Sequence, residues 1–129
     1  MDRPHEFLAE QRVLRLATVS DDGSPHVVPV WYMYRDGAVY VGTNTRTAKA
    51  KNVARTGRAA FCVDEGIRSP LYGVMARGRA RLITKDIGGL ARDILLRYFD
   101  TMEDESAAEL YRDTDCIIEI MPESITEWS

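Results

Sequence analysis

Cysteine, histidine and lysine are all scarce in this 129-residue chain, and each scarcity excludes something. The two cysteines, Cys62 and Cys116, lie far apart in apolar stretches with no CxxC and no Cys/His spacing, which speaks against zinc and leaves both as buried free thiols. His5 and His26 stand alone, so no metal site and no Ser/His/Asp or Cys/His arrangement is evident; His26 reads as a surface residue opening a strand. No apolar run approaches the roughly 18 residues of a membrane span, and the first ten positions lack an apolar signal core. A soluble, cytoplasmic protein is expected. Positive charge is not in excess either: the formal net charge is −3, which argues against a nucleic-acid binder working by broad phosphate neutralisation. Repeats, linkers and low-complexity tracts are missing, so residues 1–129 read as a single domain. At 45% hydrophobic and 29% charged, the composition is that of a globule with an ample core.

What is present has a β character. Asp2, Pro4 and the stretch to Arg12 suggest a short capped helix. Strands are expected over 13–20, 26–34, 38–44, 58–64, 71–84 and 116–121, six in all, with turn chemistry at Ser20–Pro25 and a primed hairpin turn at Asp36-Gly37. Both faces of 26–34 are bulky, predicting a strand that water scarcely touches, and Pro29 predicts an unpaired position in it. A short helix is expected at about 47–55. The repeat of Ile87, Leu90, Ala91, Ile94, Leu95, Tyr98 and Phe99 gives the clearest amphipathic helix, with a second, acidic helical segment through Tyr111. Strands interrupted by two helices before the last imply an antiparallel barrel rather than regular βαβ alternation.

The most informative stretch is Gly42-Thr43-Asn44-Thr45-Arg46-Thr47-Ala48-Lys49-Ala50-Lys51, a strand running through a polar turn into a helix. Thr47 or Thr45 is the expected N-cap. Arg46, Lys49 and Lys51 crowd a helix end whose dipole opposes cations, an arrangement that a bound anion would make favourable. From spacing alone, a solvated basic turn is the simpler account. Elsewhere, adjacent Asp64 and Glu65 fall on different faces of a strand end and suit no paired acid/base role. Arg77, Arg79 and Arg81 share one strand face and need acidic partners or solvent. Glu103-Asp104-Glu105 suits a solvated helix start.

Taken together, GSPHVVPVWYMYRDGAVYVGTNTRTAKAKNVARTGRAAFCVD, the GVMARGRARLI strand and the terminal MPESITEW resemble the FMN-binding split barrels related to pyridoxamine 5′-phosphate oxidase, over about residues 10–128. The resemblance implies a mainly β fold, a six-stranded antiparallel Greek-key split barrel with short flanking helices. It also implies a homodimer with a flavin in each of two grooves at the subunit interface. Carried over by position, Val28, Pro29, Val30 and Trp31 would run beside the isoalloxazine ring. Gly42 and Thr43 would lie near the cofactor, with Thr47, Lys49 and Lys51 at its phosphate. From the other subunit, Tyr72, Gly73 and Trp128 would complete the groove; Trp128 reads equally as an aromatic lid on the core.

The departures narrow this. Vitamin B6 oxidases carry an arginine and a lysine where this chain has Val28 and Met33, and they continue past the tryptophan with a substrate-gripping arginine segment, whereas this chain stops at Ser129. Oxidation of pyridoxine phosphate is therefore not expected. With Trp31 after Val-Pro-Val, the chain is more similar to the small flavin- or deazaflavin-dependent reductases of the same superfamily, some of which use coenzyme F-420. Its polycarboxylate tail would need a basic path, for which Arg46, Arg55, Arg58, Arg68 and Arg77 are candidates, each equally explained as surface charge. The implied activity is hydride transfer between FMN or a 5-deazaflavin and a small unsaturated or aromatic substrate. A flavin- or haem-binding protein that stores or senses without turnover is the alternative, and a dimeric structural module with an empty groove a third.

Overall fold

The computed structural model describes residues 2–65, 67 and 71–128. Among them, seven strands and four helices follow in the order α1 (Arg3–Glu10), β1 (Leu14–Val19), β2 (Pro25–Val30), β3 (Met33–Arg35), β4 (Ala38–Thr43), α2 (Ala48–Thr56), β5 (Arg58–Glu65), β6 (Tyr72–Ile83), α3 (Gly88–Leu95), α4 (Glu105–Asp113) and β7 (Cys116–Trp128). All strand pairs are antiparallel, in the spatial order β2-β1-β5-β6-β7-β4-β3. Seven strands laid flat would put the two edges about 29 Å apart. Yet the edge strands β2 and β3 are joined by Trp31 and Tyr32 alone, a link that reaches at most about 11 Å. The sheet therefore curls on itself, and the seam falls at Trp31–Tyr32. The split-barrel architecture is as expected.

The count rises from six to seven because the strand expected over 26–34 breaks. Pro29 has no N–H to give, the Tyr32 N–H is diverted to the Tyr98 hydroxyl at 2.9 Å, and the Tyr32 carbonyl accepts from the Arg97 guanidinium. The last strand runs to Trp128 rather than stopping at 121, past Pro122, which sits opposite Gly78 at a bulge between Arg77 and Gly78. A Cβ on Gly78 would meet the Met121 carbonyl oxygen at 2.0 Å, so glycine is what lets β6 and β7 pass. The Asp36-Gly37 turn is as read, both residues at positive φ between paired Arg35 and Ala38. The helix expected to run through Phe99 ends at Leu95, which frees Tyr98 for its bond to the seam.

Strand parity divides the apolar residues between two layers. Leu14, Leu16, Val39, Val41, Phe61, Val63, Val74, Ile118 and Ile120 fill the barrel with Leu8 and Val53 from α1 and α2. Ile117, one residue out of phase, joins Met33, Ala91 and Ile94 in a second cluster where α3 covers the outside of β4 and β7. The remaining outer face is not covered: Val27 is 69% exposed, Met75 45% and Met121 57%. The expectation that water scarcely touches 26–34 fails on one face, where Val27, Pro29 and Trp31 are exposed while Val30 on the other is buried. On the same face Arg81 finds Glu119 at 2.6 Å and Arg58 finds Glu123 at 2.7 Å.

Candidate functional site

The turn into α2 is built almost entirely from its own side chains. Thr47 caps the helix, accepting from the Ala50 N–H at 3.4 Å and donating to the Asn44 carbonyl at 2.9 Å, with Thr43 Oγ1 3.1 Å away. Asp115 braces the outside, its carboxylate accepting from the Thr45 N–H at 2.8 Å while its own N–H donates to the Thr43 carbonyl at 3.0 Å. Arg46 lies 3.6 Å from Asp113. This turn leaves the amides of Ala48 and Lys49 in the first helical turn without an acceptor among the described residues.

Lys49 rises from that turn, half-buried and without an ion-pair partner among the described residues. Burial pulls its ammonium below the ordinary lysine range, with the nearby Cys116 pushing weakly the other way. Cys116 itself is forced up to about 11 by burial and the adjacent Asp115. Lys51 is exposed: two residues along a helix is a rotation of about 200°, so it cannot share the Lys49 face.

Lys49 opens into a cavity of about 450 Å³ on the outside of the barrel. The wall is Val13, Pro29, Val30 and Trp31 from the seam, Gly42 from β4, Ala91, Ile94 and Leu95 from α3, and Leu110 and Thr114 from α4 and its end. Gly42 keeps the floor open, since a Cβ there would come only within ordinary contact of Thr114 and Ile117, at 3.5 and 3.8 Å. Five of the residues singled out in the sequence therefore meet in one place: Pro29, Val30, Trp31, Gly42 and Lys49. Thr43 and Thr47 stand behind Lys49 as supports, and Val28 packs against the barrel core.

Tyr72, Gly73 and Trp128 are not brought to this cavity in the same chain. Tyr72 is buried under α1, edge-on to Phe7, with Arg3 over its ring at 3.7 Å and its hydroxyl donating to Glu127 at 2.5 Å. Trp128 lies across Gly73 on the outer sheet face, where a Cβ on Gly73 would strike its ring at 2.1 Å. Of the arginines considered for an anionic tail, Arg46, Arg55 and Arg58 are committed to Asp113, to Asn52 and the Val19 carbonyl, and to Glu123. Arg77 has no partner among the described residues, and Arg68 lies outside them.

Sequence reasoning missed the knot behind Trp31. Arg97 donates to the carbonyls of Tyr32, Ala9 and Gln11, lying over the Tyr32 and Tyr98 rings. Tyr98 stacks on Trp31 at 4.3 Å and 6°, with Phe99 edge-on at 5.7 Å. The only signal was a pair of aromatics at the tail of an amphipathic repeat, which periodicity assigns to a helix face. Among the described residues no cluster of three potential metal ligands occurs, and no helix is long and apolar enough to cross a membrane.

Comparison with solved structures finds the same fold in a conserved hypothetical protein of Mycobacterium tuberculosis (TM-score 0.80, 24% identity, 97% of this chain and 81% of that one). An F420 reductase matches with a TM-score of 0.79 at 21% identity over 98% of both chains. An FAD-binding protein of Mesorhizobium loti matches with a TM-score of 0.71 at 27% identity, over 96% and 90%. No curated protein matches the sequence significantly. The family profile described as pyridoxamine 5′-phosphate oxidase matches residues 2–129, so the chain belongs to the pyridoxamine 5′-phosphate oxidase family.

Proposed function

We propose that the protein is a homodimeric oxidoreductase that binds FMN or a 5-deazaflavin such as coenzyme F-420 and passes a hydride between it and a small unsaturated or aromatic substrate. The observation that carries this reading is Lys49, a half-buried cation with no counter-charge among the described residues, at one end of a mostly apolar cavity. An unpaired buried charge is a cost unless a ligand removes it. A phosphate offers that charge to the ammonium and to the free amides of Ala48 and Lys49, while Thr43 and Thr47 hold the turn that presents them. A flat heterocycle suits the walls nearest Lys49, with Pro29 and Val30 along one side and the bare Gly42 floor beneath. When bound, such a ring supplies the hydride chemistry itself. The chain's part is to bind, orient and exclude water through Ile94, Leu95 and Leu110.

The relatives named an F420 reductase and an FAD-binding protein favour the same cofactor class. A haem-binding protein of Mycobacterium smegmatis shares the fold at 20% identity, the chain covering 55% of its length. A haem iron takes an axial His, Cys, Met or Tyr, and the described cavity wall supplies none of these. Two chains would pair through the outer face that exposes Val27 and Met75, and Trp128, exposed on that same face, is the residue this pairing would offer to the partner's groove. Titration with FMN and with deazaflavin, followed by stopped-flow reduction and reoxidation with a substrate panel, tests the reading. Saturable binding with turnover is expected. Binding without turnover supports a carrier or sensor, and no binding of either ring system rejects the proposal.

A further inference from the structure

The cavity is chemically lopsided. Among its described lining residues Lys49 alone is charged, and away from it the wall is Val13, Trp31, Ile94, Leu95 and Leu110. Within that wall Trp31 is singular. One face of its indole is pressed flat on Tyr98 at 4.3 Å, with Phe99 steeply inclined to it at 5.7 Å. Tyr98 is in turn immobilised through its hydroxyl, which accepts from the Tyr32 N–H at 2.9 Å and lies 2.7 Å from the Arg12 carbonyl it donates to. Despite this backing, Trp31 remains 41% exposed and lines the cavity. A large aromatic ring clamped by its neighbours yet still open to a cavity loses little entropy on receiving a second flat ring, and offset stacking adds to the apolar area it covers.

We propose that the free face of Trp31 is the stacking platform for the substrate, which is a flat, uncharged, conjugated ring system. The proposal rests on the cofactor reading in one respect: Lys49 is taken by the cofactor's anion, so no charge is left for the substrate. Shape then discriminates, because a puckered molecule of equal carbon count buries similar area but cannot lie on the indole.

Calorimetry on protein loaded with FMN or deazaflavin, whichever the titration selects, tests this with 2-naphthol, its saturated analogue 2-decalol, and naphthalene-2-sulfonate. Naphthol is expected to bind about tenfold more tightly than decalol, with the sulfonate no tighter than naphthol. Trp31→Leu, at a partly exposed position that tolerates an aliphatic residue, should weaken naphthol about tenfold. Trp31→Phe should recover most of the loss, and both variants should hold cofactor affinity within about threefold. Equal binding of naphthol and decalol would overturn the platform. So would a Trp31→Leu variant that loses cofactor affinity as steeply as naphthol affinity, since the indole would then belong to the cofactor. If neither ring system binds wild type, the cofactor reading fails separately, and the naphthol–decalol contrast on ligand-free protein still decides the platform.

Discussion

Lys49 shows how a single side chain can be a liability to the fold and an asset to the site. Its ammonium is drawn partly out of water and its pKa is lowered by that burial. Between the folded and unfolded pKa values the unfolded chain holds more protons, so this group's contribution to stability rises with pH through that window. Lys49→Met keeps the stem and removes the charge. Its melting temperature without ligand should rise at pH 7.5 by about 1–2 °C, a small gain because the ammonium is half in water. The gain should shrink as pH climbs toward the ordinary lysine value, and FMN affinity should fall about 10- to 100-fold as a charged contact is lost. Thermal melts at two pH values and a cofactor titration check all three. Lys49 was legible beforehand, since a basic residue two positions into a helix is locally anomalous. Arg97 was not, because its acceptors at Ala9, Gln11 and Tyr32 lie more than 60 residues away and leave no local trace.

Among elements, the β6/β7 ribbon offers the sharpest contrast. Gly73 and Gly78 both lack room for a Cβ, but the obstacles differ in kind. At Gly78 it is the Met121 backbone carbonyl within a fixed bulge, so Gly78→Ala should cost about 3 kcal/mol. At Gly73 it is the Trp128 ring, a side chain that can swing away, so Gly73→Ala should cost about 1 kcal/mol and red-shift Trp128 emission. Urea denaturation and fluorescence separate the two, and equal losses would contradict this account. The α2 cap and the Asp36-Gly37 hairpin were readable because each is decided within five residues. The break between β2 and β3 was half readable: Pro29 marked a missing donor, but the partner claiming Tyr32 sits at Tyr98.

At the scale of the molecule, pairing of two chains would cover the outer face on which Val27 of β2 and Met75 of β6 are exposed. Val27, at 69% exposure, lies on the edge strand at its margin. Sedimentation of the wild type should show a dimer. Val27→Asp should shift it to monomer by placing an unpaired carboxylate in the contact, leave the far-UV spectrum unchanged, and weaken the cofactor about tenfold. A wild type that sediments as monomer at micromolar concentration rejects the dimeric arrangement.

Alternation, turn residues and caps depend on neighbours a few positions apart, so most of the strands, the hairpin, the α2 turn and the barrel class were determined by the sequence alone, whereas the break between β2 and β3 and the full length of β7 were not. Where a side chain ends up relative to distant ones is a different matter. Lys49 at a cavity with Trp31, Lys51 turned to solvent, Trp128 on the outer sheet face and the Tyr98–Arg97 knot were decided only when the two edge strands, joined by two residues, forced the sheet to curl. Closure brings together residues whose separation in the chain no local pattern encodes.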